Sequence, residues 1–70
     1  MKLSARNQLP GTVTHITLGG VMAEVTIDIG NGLTVVSAIT RASVENMGIT
    51  EGSKVIAVIK ATEVLVGVED

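Results

Sequence analysis

Seventy residues make one domain, 1–70, and a chain this short buries only about 60% of the surface it exposes when unfolded. It has no cysteine and one histidine, His15, so disulfides, thiolate sites and a histidine-built metal centre are excluded, and association with further copies is the remaining source of stability. A formal charge of −2 and the complete lack of Phe, Tyr and Trp speak against a nucleic-acid partner, which calls for a basic surface and stacking platforms.

Residues 3–9 are polar and look extended, and Pro10-Gly11 marks a bend or bulge. Thr12 to Leu18 is rich in β-branched residues and predicts a strand, closed by a Gly19-Gly20 turn. Val21 to Ile29 alternates: Val21, Ala23, Val25, Ile27 and Ile29 face one way, Met22, Glu24, Thr26 and Asp28 the other. That period of two predicts a half-buried antiparallel strand. Gly30-Asn31-Gly32 predicts a tight hairpin into a third strand, Leu33 to Ile39.

Thr40 then reads as the cap of a short helix, Arg41 to Met47, with Ala42, Val44 and Met47 inward and Gly48 as its left-handed stop. Lys54 to Ile59 predicts a strand apolar on both faces, and Glu63 to Val68 a last strand of the same kind. Five strands with one helix between the third and fourth is the order of an all-β, OB-type Greek-key barrel. Strands apolar on both sides need a second cover, which in a single-domain chain is another subunit. No apolar run approaches the ~18 residues of a membrane span. Met1-Lys2-Leu3-Ser4 does not lead into a signal-peptide core, so the expectation is a soluble, cytoplasmic protein with no membrane partner.

Two of the five cations stand out. Arg6 follows Ser4-Ala5, and Lys60 precedes Ala61-Thr62. A fixed positive charge among small side chains, hydroxyls and free backbone N–H groups suits a small oxyanion. Each piece also has a plainer reading. Arg6 could pair with Glu24 or Glu63, Lys60 could guard a sheet edge, Thr40 and Ser43 could be helix caps only, and Gly19-Gly20 could be a bare turn. His15 takes no ligand role, and Met22 and Met47 read as packing residues.

The ordered set carries more than its parts. Ser4-Ala5-Arg6-Asn7-Gln8-Leu9, Gly11, Val21-Met22-Ala23-Glu24-Val25, Ile39-Thr40 with Ser43-Val44, Gly48-Ile49 with Glu51-Gly52, and Val58-Ile59-Lys60-Ala61-Thr62-Glu63-Val64 together span nearly the whole chain. In this the chain resembles molbindin, the small molybdenum-pterin-binding-type (Mop) family. The resemblance implies an OB-type fold, a hexamer built from dimers, and molybdate or tungstate held between subunits. The implied site residues are Ser4, Ala5, Arg6, Thr40, Ser43, Lys60 and Ala61. A second site near a three-fold axis falls on Gly19, Gly20, Val21 and Met22, mostly through backbone donors. No side chain would ligate the metal atom directly, and no organic cofactor is implied. Two local departures stand out: Pro10 has no backbone donor, and the residue after Lys60 is Ala61 rather than serine, so any contact there is a backbone N–H.

The residue types fit that ligand. Molybdate is a tetrahedral dianion with four acceptor oxygens, so its site needs donors and almost no acceptors. Arg6 offers a planar fork that keeps its charge, Lys60 a point charge with three donors, and Ser4, Thr40 and Ser43 rotatable hydroxyls. The start of the short helix adds N–H groups. Sulfate has the same charge but is smaller, so its rejection must come from cavity size. Storage or buffering without catalysis is the leading expectation, since there is no nucleophile triad and no acid–base pair in a cleft. The alternative is a molybdate-sensing module serving a larger importer or regulator.

Overall fold

The computed structural model describes residues 1–70. Four strands, β1 (Asn7–Leu18), β2 (Met22–Gly30), β3 (Leu33–Thr40) and β4 (Lys54–Ile59), form one antiparallel sheet in the order β3-β2-β1-β4. Helix α1 (Arg41–Met47) joins β3 to β4, and a 3-10 turn, Ala61–Glu63, follows β4. No helix is long and apolar enough to cross a membrane.

The alternation in β2 does what its period demands: Ala23, Val25 and Ile27 are buried, while Met22, Glu24 and Asp28 are exposed. Val13, Val44 and Ala57 complete the core. These six are all aliphatic. The hairpin between β2 and β3 turns at Asn31-Gly32, both at positive φ (54° and 73°), the geometry of a type I′ turn. Asp28 Oδ1 accepts the Gly30 N–H at 2.8 Å and steadies the approach to it.

Strand β1 serves two neighbours. Asn7–Thr12 pair with β4, and Thr12–Leu18 pair with β2. A bulge between Val13 and His15 bends the strand between those halves. Gly11 sits at the crossing, where a Cβ would lie 2.6 Å from the Asp28 carbonyl oxygen and 2.6 Å from Ile27 Cγ2. The helix ends are built as the residues predict. Thr40 Oγ1 accepts the Ser43 N–H at 3.1 Å. At the other end, left-handed Gly48 donates to Glu45 O and Ile49 to Val44 O, a Schellman stop.

Several expectations need correction. Pro10 and Gly11 do not end an element; β1 runs through them from Asn7. Proline is tolerated because this half of β1 has β4 on one edge and no ladder partner on the other. Within the helix only Val44 is buried, and Ala42 and Met47 face outward. Strand β4 alternates after all: Ala57 is buried, whereas Ile56 and Val58 are each 45% exposed.

The fifth strand does not form, so the sheet has four strands and stays open rather than closing as a barrel. Beyond the 3-10 turn, Leu65, Val66 and Val68 stand about nine-tenths exposed. A strand needs an edge to bond to, and the turn after Ile59 carries this tail off the edge of its own sheet. Between β3 and β4 lies an apolar groove of ≈ 1050 Å³, lined among others by Val35, Ile39, Met47, Ile49, Val55 and Ile59.

Candidate functional site

The pairing of Asn7 with Ile59 at the end of the β1–β4 ladder sets the site. It brings the residue before β1, Arg6, beside the residue after β4, Lys60. Ser4, Ala5, Arg6, Lys60, Ala61 and Thr62 line one open cleft of ≈ 470 Å³. Local bonds hold both walls. Asn7 Nδ2 donates to Ile59 O at 3.2 Å, and Gln8 Nε2 donates to Ala5 O at 2.7 Å. The Glu63 N–H closes the turn onto Lys60 O at 2.9 Å.

The cleft is rich in donors. The backbone N–H groups of Ser4, Ala5, Arg6 and Lys60 donate to nothing inside the chain. Neither Arg6 nor Lys60 pairs with a carboxylate; the one ion pair between fixed charges is Arg41–Glu45, and Glu51 lies by His15. Two cations brought together without an acid between them repel each other, and an anion removes that cost. The salt bridges from Arg6 to Glu24 or Glu63 are therefore not made within the chain.

Thr40 and Ser43 lie elsewhere. Thr40 pairs with Met22, whose neighbour Ala23 pairs with Leu18 at the far end of β1. The cleft is at the Asn7 end, roughly 35 Å away along the strand at about 3.3 Å per residue. One chain thus carries Ser4–Arg6 with Lys60–Thr62 at one end, and Thr40 with Ser43 at the other. The two hydroxyls share a 2.7 Å hydrogen bond, and Thr40 Oγ1 also caps Ser43 N–H. Whichever hydroxyl donates in that pair, one hydroxyl hydrogen remains to donate outward.

The Gly19–Met22 turn is at the same end as Thr40. It closes through Gly19 N–H to Met22 O at 2.8 Å, and Arg41 N–H donates to Val21 O at 2.8 Å. His15 lies apart, with Nδ1 4.0 Å from Glu51 Oε1 and both side chains about two-thirds exposed. No cluster of His, Asp or Glu is arranged to hold a metal cation.

The TOBE domain pattern matches residues 3–66. This chain belongs to the TOBE domain family. Among TOBE domain proteins it is 49% identical to a "probable molybdenum-pterin-binding protein" of Haemophilus influenzae, over 99% of this chain and all of that one. The fold matches a molybdate-binding protein of Sporomusa ovata with a TM-score of 0.88 and 45% identity, covering 94% of this chain and 97% of that one. It also matches the cytoplasmic molybdate-binding protein ModG, crystallised with molybdate bound, at a TM-score of 0.84 and 44% identity. There the match covers 87% of this chain but 43% of ModG, so this TOBE chain spans less than half of that protein.

Thr62 lines the cleft alongside the expected residues, and Asn7 and Gln8 hold its wall. Thr62 adjoins the Lys60-Ala61 pair in sequence. Asn7 and Gln8 give no comparable signal, because their role depends on a register partner 52 residues away.

Proposed function

We propose that the protein binds molybdate, and its near-isostere tungstate, in the cytoplasm as a storage or buffering protein without catalysis. One observation carries the reading: Arg6 and Lys60 line the same cleft with free backbone donors around them and no carboxylate paired to either. That donor set suits a dianion with four acceptor oxygens and offers little to a neutral or cationic ligand. The molybdenum-pterin-binding relative at 49% identity and the molybdate-binding one at 45%, each over nearly the whole chain, point the same way.

The sites are completed between copies. Support comes from the separation of Thr40 and Ser43 from the cleft, which within one chain cannot join it. A second copy also answers the exposed tail and the open groove. The run Val64–Val68 is apolar, exposed and unpaired, and the groove between β3 and β4 offers free edges and an apolar floor. Reciprocal insertion of this run would supply the fifth strand of each barrel. The assembly proposed is a hexamer of three dimers, whose mass under native conditions would be six times 7.2 kDa.

Titration calorimetry with molybdate, tungstate, sulfate and phosphate, with mass by light scattering on the same samples, tests this. Tight binding of the first two only, by an oligomer, is the expected result. Equal affinity for sulfate, or a monomer, rejects it.

A further inference from the structure

The two walls of the cleft are held very differently. On the Lys60 side, β4 pairs with β1 up to Ile59, Asn7 Nδ2 donates to Ile59 O at 3.2 Å, and the Glu63 N–H closes on Lys60 O at 2.9 Å. The opposite wall, Ser4–Arg6, lies ahead of β1 and outside every ladder. Residues 1–6 make a single hydrogen bond: Ala5 O accepts from Gln8 Nε2 at 2.7 Å. None of these six residues is buried in the core. Gln8 itself is anchored, because its backbone pairs with Val58 in the β1–β4 ladder. Its side chain is therefore a strut from the sheet to a wall that nothing else in the chain fixes.

We propose that Gln8 is a positioning residue for the oxyanion cleft, setting affinity and selectivity through the Ala5–Arg6 peptide without touching the ion. The proposal rests on the oxyanion reading above and extends it to a residue that does not line the cleft. The Ala5–Arg6 peptide is trans, so its C=O and N–H lie in one plane and point opposite ways. Holding Ala5 O against Gln8 turns the Arg6 N–H away from Gln8. Gln8 lies outside the lining and Arg6 within it, so the same bond aims a donor at the ion and keeps an acceptor off it. Without the bond, the ion would have to order the Ser4–Arg6 backbone as it binds, and a site ordered on binding is weaker than one fixed beforehand. A fixed wall also keeps the cleft too wide for sulfate, whereas a loose one can close onto the smaller ion.

The test is Gln8→Met in the full chain as it assembles, which keeps the length of the side chain and removes its donor. Calorimetry with molybdate, and with sulfate by displacement of molybdate, gives both affinities. Light scattering and thermal melts on the same samples report assembly and ligand-free stability, and backbone amide NMR relaxation reports the order of Ser4–Arg6 without the ion. The molybdate Kd should rise about fivefold, the scale of one net hydrogen bond, and the preference for molybdate over sulfate should fall with it. The amides of Ser4, Ala5 and Arg6 should lose order while those of the β1–β2 ladder keep theirs. Damage to folding or assembly would instead weaken both ions by one factor, because it changes only the competent fraction. An unchanged preference therefore overturns the proposal, and so does a molybdate Kd equal to the parent's or a Ser4–Arg6 wall as ordered as the parent's. If Gln8→Met disturbs assembly, Gln8→Ala, which adds no apolar reach, is judged by the same outcomes. A parent that binds molybdate no better than the Gln8 variants overturns this inference alone, while a parent that binds no molybdate overturns the underlying reading as well.

Discussion

Removing Arg6 or Lys60 should change binding and leave the ligand-free fold alone. Both side chains line the cleft and neither has an ion-pair partner in the chain. A hydrogen bond to a charged group contributes about 1.5–3 kcal/mol, so Arg6→Ala or Lys60→Ala should each weaken molybdate binding by about 2 kcal/mol. That is roughly a 30-fold rise in Kd. If the two contacts are independent, the double variant loses about 4 kcal/mol, near a thousandfold, and any shortfall measures their coupling. Stability without the ion should behave differently. No salt bridge is broken and a like-charge repulsion is relieved, so thermal unfolding of the ligand-free variants should move by no more than about 0.5 kcal/mol. Calorimetric titration and thermal melts on the same preparations read both quantities. Unchanged Kd in both single variants would refute the argument. A weakening matched by an equal loss of ligand-free stability would also refute it, since that would be damage to the fold.

The exposed tail and two local features give further expectations. Truncation after Glu63 removes the apolar run that stands about nine-tenths exposed, and light scattering should then show dissociation to single chains with loss of tight molybdate binding; an unchanged mass would dismiss the tail as an assembly element. Gly11→Ala forces a methyl group to 2.6 Å from a backbone carbonyl that cannot retreat without breaking the β1–β2 ladder, so urea unfolding should report a loss of about 3 kcal/mol. Thr40→Ala removes the helix cap and one hydroxyl, with about 1 kcal/mol lost in stability and weaker molybdate binding, and Thr40→Ser should restore both; recovery of neither by serine would contradict the hydroxyl's role.

Features whose causes lie within a few residues were legible in the sequence. The Asn31-Gly32 turn, the Thr40 cap, the Gly48 stop and the β2 alternation all depend on local backbone preference or a short period. The tail was misread because composition reports that Val64–Val68 favours a strand, while a strand also needs a partner, and the tail pairs with no strand of its own sheet. The strand was begun at Thr12, after the Pro10-Gly11 bend, but a proline's missing N–H counts against a strand only if a ladder needs it, and here one edge of β1 is free. The cleft is a third case. No local pattern brings Arg6 to Lys60 within one chain; that follows from the Asn7–Ile59 register, which periodicity does not report. The placement of Thr40 and Ser43 at the opposite end of the sheet emerges only from the traced topology.

That placement reaches beyond geometry. On the proposed assembly each polypeptide would own two incomplete cradles, so capacity for the ion would belong to the contacts between chains and no single chain would hold a share of its own. Whatever fills a cradle must then clamp two polypeptides together, and the free energy gained grows as RT ln(1 + [L]/Kd) at each one filled. Scarcity of the ion would loosen the particle and abundance would tighten it, which makes the quaternary state itself a gauge of supply.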